Sequence, residues 1–157
     1  MKKTLLFLIL FGFVTLSEAQ ILKPITWEVA LSNATPTVGE EVTISFKAQI
    51  EDNWYLYSSD FDPDLGPLVT EFIFHENDTY ALAGELTPIN PKKKYDSLWE
   101  GEYTYFKKEG LFQQKVKILK KEFTITGEYL YQVCSDIDGK CIPFEDEFSL
   151  GSKKKNR

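Results

Sequence analysis

The sequence predicts an all-β domain, an immunoglobulin-like antiparallel β-sandwich, on three observations. Apolar and polar residues alternate with a period of two in run after run, the mark of a strand with one wet face. Aromatic residues reach 15%, with 12 Phe and 8 Tyr, and such rings beside β-branched neighbours suit a pleated, half-buried surface better than a helix. Clusters of Pro, Gly, Asn and Asp punctuate the runs at regular spacing, and no segment sustains a helical period.

The chain opens with Met1-Lys2-Lys3, an apolar run over residues 5–16, and Ser17-Glu18-Ala19. That order of charge, grease and small residues is expected of a secretory signal cleaved after Ala19, leaving residues 1–19 outside the mature protein. About a dozen apolar residues cannot span roughly 30 Å of hydrocarbon at 1.5 Å per residue. No cysteine precedes Cys134, so attachment through a lipidated N-terminal cysteine is not expected. The mature chain, with no later membrane-length segment, is expected to be soluble and either periplasmic or otherwise secreted.

The first strand is expected over residues 25–31. Over 41–50 the inward set Val42, Ile44, Phe46, Ala48 and Ile50 alternates with Thr43, Ser45, Lys47 and Gln49. Further runs cover 69–75, 111–119, 122–133 and 142–150. Turn signals at Pro36 and Gly39, Asn53, Pro63 to Pro67, Asn77-Asp78, Pro88 to Pro91, Gly110 and Asp138-Gly139 separate them. About seven short strands in about 120 residues make a single sandwich domain over 20–150. Residues 151–157, with Lys153-Lys154-Lys155, read as a basic, disordered tail.

The formal charge is −6 for the whole chain, and one unit more negative once Lys2, Lys3 and Glu18 leave. An acidic surface does not attract nucleic acid or anionic lipid, so neither is an expected partner. Asp60-Phe61-Asp62-Pro63-Asp64 imitates a calcium loop but has Leu65 where such a loop needs glycine. His75 is the single histidine, too few for a zinc site with two cysteines alone. No phosphate-binding glycine loop or serine nucleophile motif occurs. No metal and no cofactor is expected.

The chemistry begins at Cys134 and Cys141, the two cysteines of the chain. In an exported protein they read first as a disulfide. Phe123, Ile125, Tyr129, Tyr131 and Val133 share one strand parity, and Cys134 falls on the other with Gln132. Cys141 likewise lies off the parity of Ile142, Phe144 and Phe148. Both sulfurs therefore point away from the apolar stripe and face one another across the mouth of a hairpin, within reach of solvent. Two readings remain open on spacing alone. A structural staple closing an eight-residue loop gains only about 2.5 kcal/mol in the chain-entropy model, a poor position for stapling. A redox-active pair would have neither a two-residue cysteine spacing nor a helix N-terminus to lower a thiol pKa.

Four stretches resemble the N-terminal, periplasmic domain of the thiol:disulfide interchange protein DsbD. They are Asp52-Asn53-Trp54-Tyr55-Leu56-Tyr57; Gly66-Pro67 with Thr70-Glu71-Phe72; Lys94-Tyr95-Asp96-Ser97-Leu98-Trp99; and Tyr131-Gln132-Val133-Cys134 through Cys141-Ile142-Pro143. The resemblance implies an immunoglobulin-like domain whose cysteines shuttle between dithiol and disulfide, passing electrons to thioredoxin-fold partners, with a loop capping the sulfurs until a partner arrives. Carried over by position, Cys141 forms the mixed disulfide and Cys134 resolves it. Tyr55 and Tyr57 line the site, Asp96 is a cap-loop acid near the thiols, and Leu98 or Trp99 is the hydrophobic lid. Two departures stand out: Ser97 follows Asp96 where the family carries a glutamate, and six residues separate the cysteines in place of five. The family domain also precedes membrane helices and a thioredoxin-like domain, so electrons are expected to come from a separate protein here. The alternative is a non-catalytic β-sandwich binding or scaffolding domain with a permanent disulfide.

Overall fold

The computed structural model describes residues 22–152; the expected signal segment and the basic tail beyond Ser152 lie outside them. The chain runs β1 (Ile25–Leu31), β2 (Glu41–Ile50), β3 (Trp54–Tyr57), a 3-10 turn (Pro63–Leu65), β4 (Glu71–Phe74), β5 (Tyr80–Leu82), β6 (Thr87–Pro88), β7 (Lys92–Asp96), β8 (Gly101–Phe106), β9 (Glu109–Ile118), β10 (Thr124–Ser135) and β11 (Cys141–Gly151). Two antiparallel sheets face one another. The first is ordered β1-β2-β9-β5, with β6 also on β9, and the second β11-β10-β3-β8-β7, with β4 also on β10. This is the expected sandwich.

The long amphipathic runs form where the period of two places them, with ends shifted by a residue or two. The run expected over 69–75 contracts to β4, because Thr70 turns aside to bond the backbone of Ser58. The structure has more strands than the about seven expected, and the added ones are short or lack alternation. β7 is an edge strand reading KKKYD, exposed on nearly every residue. In β8, Tyr103, Thr104 and Phe106 are all buried, so no polar beat marks the strand.

Between the sheets lie Ile44, Phe46 and Phe112 from the first sheet and Leu56, Ile125, Tyr131 and Val133 from the second. Rings knit this layer: Phe46 meets Phe72 at 4.6 Å between centroids, and Trp27 meets Tyr129 at 4.9 Å. At one end the Tyr131 hydroxyl donates to Asp146 Oδ2 at 2.7 Å, and Lys23 closes on the same carboxylate at 2.6 Å. A second, smaller cluster of Tyr57, Tyr103 and Cys134 lies apart from this core. Strand parity puts it on the outer face of the second sheet, a face that alternation alone assigns to water.

Candidate functional site

β10 and β11 form a hairpin in which Cys134 stands opposite Cys141. The Ser135 amide donates to the Lys140 carbonyl at 2.9 Å. That bond lies one step beyond the cysteines, so they occupy a non-hydrogen-bonded pair, where antiparallel backbones approach most closely. The Cα atoms are 4.1 Å apart and the sulfurs are bonded. The connecting loop is built by short-range polar bonds: Ser135 Oγ accepts from the amides of Ile137 and Asp138, and Asp138 Oδ1 from that of Lys140. Gly139 takes a positive φ of 69°. Ile137 projects from the loop, 78% exposed.

The two sulfurs differ in their surroundings. Cys141 is exposed, whereas Cys134 has no exposed surface. The expectation that both would be reachable holds for Cys141 alone, because the outer face over Cys134 is covered. On its far side Cys134 pairs with Tyr55 of β3. Tyr55 and Tyr57 share that face, their hydroxyls 3.4 Å apart and their rings edge-on at 5.3 Å. Tyr103 and Tyr105 of β8 continue the layer, with Tyr57 and Tyr103 at 5.3 Å and Tyr55 and Tyr105 at 5.9 Å. Phe61 closes on Tyr57 from the following loop at 5.9 Å. Burial, then the hydroxyl of Tyr55, push the Tyr57 phenol far above its usual range, so it remains a neutral hydrogen-bonding group at any physiological pH.

The β7–β8 turn lies beside this layer. Asp96 Oδ1 accepts from the amides of Leu98 at 2.7 Å and Trp99 at 3.4 Å, so this carboxylate holds its own turn. Trp99 packs on the cluster, 6.2 Å from the Tyr103 ring, whereas Leu98 at the tip is 81% exposed. A Cβ on Gly66 would lie 2.8 Å from Trp99 Nε1, and one on Gly101 would lie 2.2 Å from Leu65 Cδ1. The 3-10 segment and the β7–β8 turn thus interlock through two glycines. The structure brings Tyr55, Tyr57 and Trp99 into one layer with Cys134, puts Asp96 at its margin, and turns Leu98 outward.

Several residues at the site carried no role in the sequence reading. Tyr103 and Tyr105 complete the layer, and their spacing of two within β8 was the signal available. Lys107 bonds Asp136 at 2.6 Å, tying the inter-cysteine loop to the end of β8, and this ion pair raises the lysine pKa. Lys94, Lys107 and three tyrosines line a polar cavity of about 270 Å³ beside the loop. Asp62, of the calcium-like stretch, caps the 3-10 turn by accepting from the Asp64 amide, and Asp60 accepts from Thr104. His75 is exposed beside Thr126. Among the described residues no three His, Cys, Asp or Glu side chains converge as a metal site.

A β-sandwich with a disulfide at a hairpin mouth, one sulfur in solvent and the other beneath an aromatic cover, is an immunoglobulin-like domain built around a solvent-reachable cysteine pair. The chain belongs to the family of the thiol:disulfide interchange protein DsbD, N-terminal, whose model matches residues 20–153. Among solved structures it is similar to the reduced DsbD N-terminal domain of Neisseria meningitidis (19% identity, TM-score 0.52, covering 80% of this chain and 85% of that one). It is similar also to the N-terminal periplasmic domain of ScsB from Proteus mirabilis (16%, TM-score 0.55), covering 88% of this chain and 49%, about half, of the other. A third likeness is to the complex between the DsbD and PilB N-terminal domains from Neisseria meningitidis (16%, TM-score 0.50, covering 88% and 87%). At these identities the likenesses establish the fold. No curated protein matches the sequence. Among the described residues no helix is long and apolar enough to cross a membrane.

Proposed function

We propose that this protein is a thiol:disulfide exchange module of the cell envelope, passing reducing equivalents to thioredoxin-fold partners through a reversible Cys134–Cys141 disulfide. Family membership supports the activity, and the observation that carries it is the asymmetry of the two sulfurs. A partner thiolate approaching from solvent meets Cys141. It forms a mixed disulfide there while the Cys134–Cys141 bond breaks and its electron pair leaves on Cys134. In the reverse direction the Cys141 thiolate attacks a partner disulfide, and Cys134 then displaces the partner as a dithiol. Tyr55, Tyr57 and Trp99 shield Cys134 from small oxidants, and Asp96 holds the turn that carries Trp99. One relative is periplasmic by description and another forms a complex with the PilB N-terminal domain; with the signal-like N-terminus, these support a periplasmic site of action.

Titration against glutathione and dithiothreitol buffers tests the reading. An exchanging pair equilibrates above about −300 mV, the level below which structural disulfides typically sit. The Cys134→Ala variant is expected to trap a thioredoxin-fold partner on Cys141. A disulfide that resists both buffers, with no trapped partner, overturns the proposal in favour of a permanent staple in a binding domain.

A further inference from the structure

Gln132 stands two residues before Cys134 on the same face of β10, and its side-chain amide donates a hydrogen bond to Cys134 Sγ at 3.4 Å. It occupies a gap in the sheet. β3 pairs with β10 only from Val133 onward, and β4 only as far as Leu130. On the other side Gln132 faces Pro143, which has no amide hydrogen. Among the described residues the bond to sulfur is the one hydrogen bond its side chain makes, and the one that Cys134 Sγ accepts from any group.

When a thiolate attacks Cys141 Sγ, a new S–S bond forms at Cys141 and the old one breaks. The electron pair then resides on Cys134 Sγ, which has no contact with solvent. A buried thiolate without a donor is expensive, and a poorly stabilised leaving group slows exchange. Among the described residues no charged side chain hydrogen-bonds this sulfur: Lys107 pairs with Asp136, Asp96 accepts from the amides of Leu98 and Trp99, and Asp138 accepts from the amide of Lys140. From β3 and β8 the facing groups are tyrosines, with Tyr57 held neutral by burial and its bond to Tyr55.

We propose that Gln132 is a catalytic residue of the exchange: its amide N–H stabilises the Cys134 thiolate as that sulfur leaves, and holds it ready as the resolving nucleophile in reverse. The inference rests on the exchange reading for its purpose but not for its test. Two backgrounds are compared, each carrying Gln132→Leu, which keeps volume and removes the donor, or Gln132→Glu, which replaces the donor by a carboxylate.

In the Cys141→Ser background, thiolate absorbance against pH reports where Cys134 ionises. Loss of the donor is expected to move that pH upward by about half a unit to one unit, and further with Glu, since a hydrogen bond to a charged group is worth about a tenfold change in equilibrium. In the two-cysteine protein, reduction by dithiothreitol at fixed pH is expected to slow about threefold to tenfold, with the near-ultraviolet circular dichroism of the tyrosine layer retained. An unchanged ionisation pH in both variants overturns the proposal, even if the rate falls, because a purely structural role would slow reaction without moving the titration. If the wild-type disulfide resists dithiothreitol while the ionisation shift appears, the exchange reading fails and the Gln132 contact stands. Should Gln132→Leu fail to fold, the Glu variant decides the same question.

Discussion

At Cys134 and Cys141, neighbours across one pair of strands, the backbone makes two chemically different sulfurs. Parity within each strand is readable from residue order, and it correctly puts both on the outer face. What residue order lacks is the cover. The resemblance offers Leu98 or Trp99 as the lid, and Trp99 is the one packed on the cluster, where Gly66 leaves room for its indole; Gly66 sits at a φ of 132°, a conformation that side chains rarely adopt. A Gly66→Val substitution is therefore expected to displace Trp99 and uncover Cys134, speeding reduction by dithiothreitol several-fold while costing about 1–3 kcal/mol in urea unfolding. Asp96→Ala removes the acceptor of two turn amides. It is expected to loosen the same cover at a cost of about 1 kcal/mol, again with faster reduction, measured by the same pair of assays. An uncovering that leaves the reduction rate unchanged would show that Trp99 does not guard the disulfide.

At the scale of elements, the strands that alternate were legible and the short ones were not. β2 and β9 carry one wet and one dry face, so their period survives in the residue order. β7 and β8 do not alternate, because one is exposed on almost every residue and the other, near the site, is buried on both faces. That second burial is itself a trace of the site, since an outer face in water has no reason to carry Tyr103 and Tyr105. The hairpin β10–β11 bears the disulfide and depends on close packing at its far end, where a Cβ on Gly127 would lie 2.1 Å from the Ile73 carbonyl oxygen. Backbone cannot yield as a flexible side chain does. Gly127→Ala is thus expected to part β4 from β10 and to cost about 2–3 kcal/mol in urea denaturation. The disulfide, remote from that point, should still form.

For the molecule as a whole, the buried tyrosines set an alkaline limit to stability. Burial pushes the Tyr129 phenol up to about 12, and Tyr57 and Tyr131 are raised further, first by burial and then by their partners Tyr55 and Asp146. The unfolded chain releases these protons near pH 10 while the folded one retains them, so the contribution is intact below pH 10 and shrinks as pH rises toward the folded values. Stability is expected to fall above pH 10 by about 1.4 kcal/mol per pH unit for each such tyrosine, as measured by urea midpoints from pH 8 to 11. A flat profile across that range would mean that these hydroxyls reach water. Reducing the disulfide should cost only about 2.5 kcal/mol, because the loop it closes is short and the core lies between the sheets.

Local order in the chain settled the strand periods, the turn-rich hairpin and the pairing of two cysteines seven positions apart, since each depends on neighbours within a few residues. Which sulfur stays dry depended on the assembled fold. Cys134 is roofed by side chains from β3, β8 and the loops between them, segments some 30 to 80 residues away in sequence that meet only when the second sheet forms. Contacts at such separation leave no local pattern, because they arise from strand order within a sheet and not from the period of any one strand.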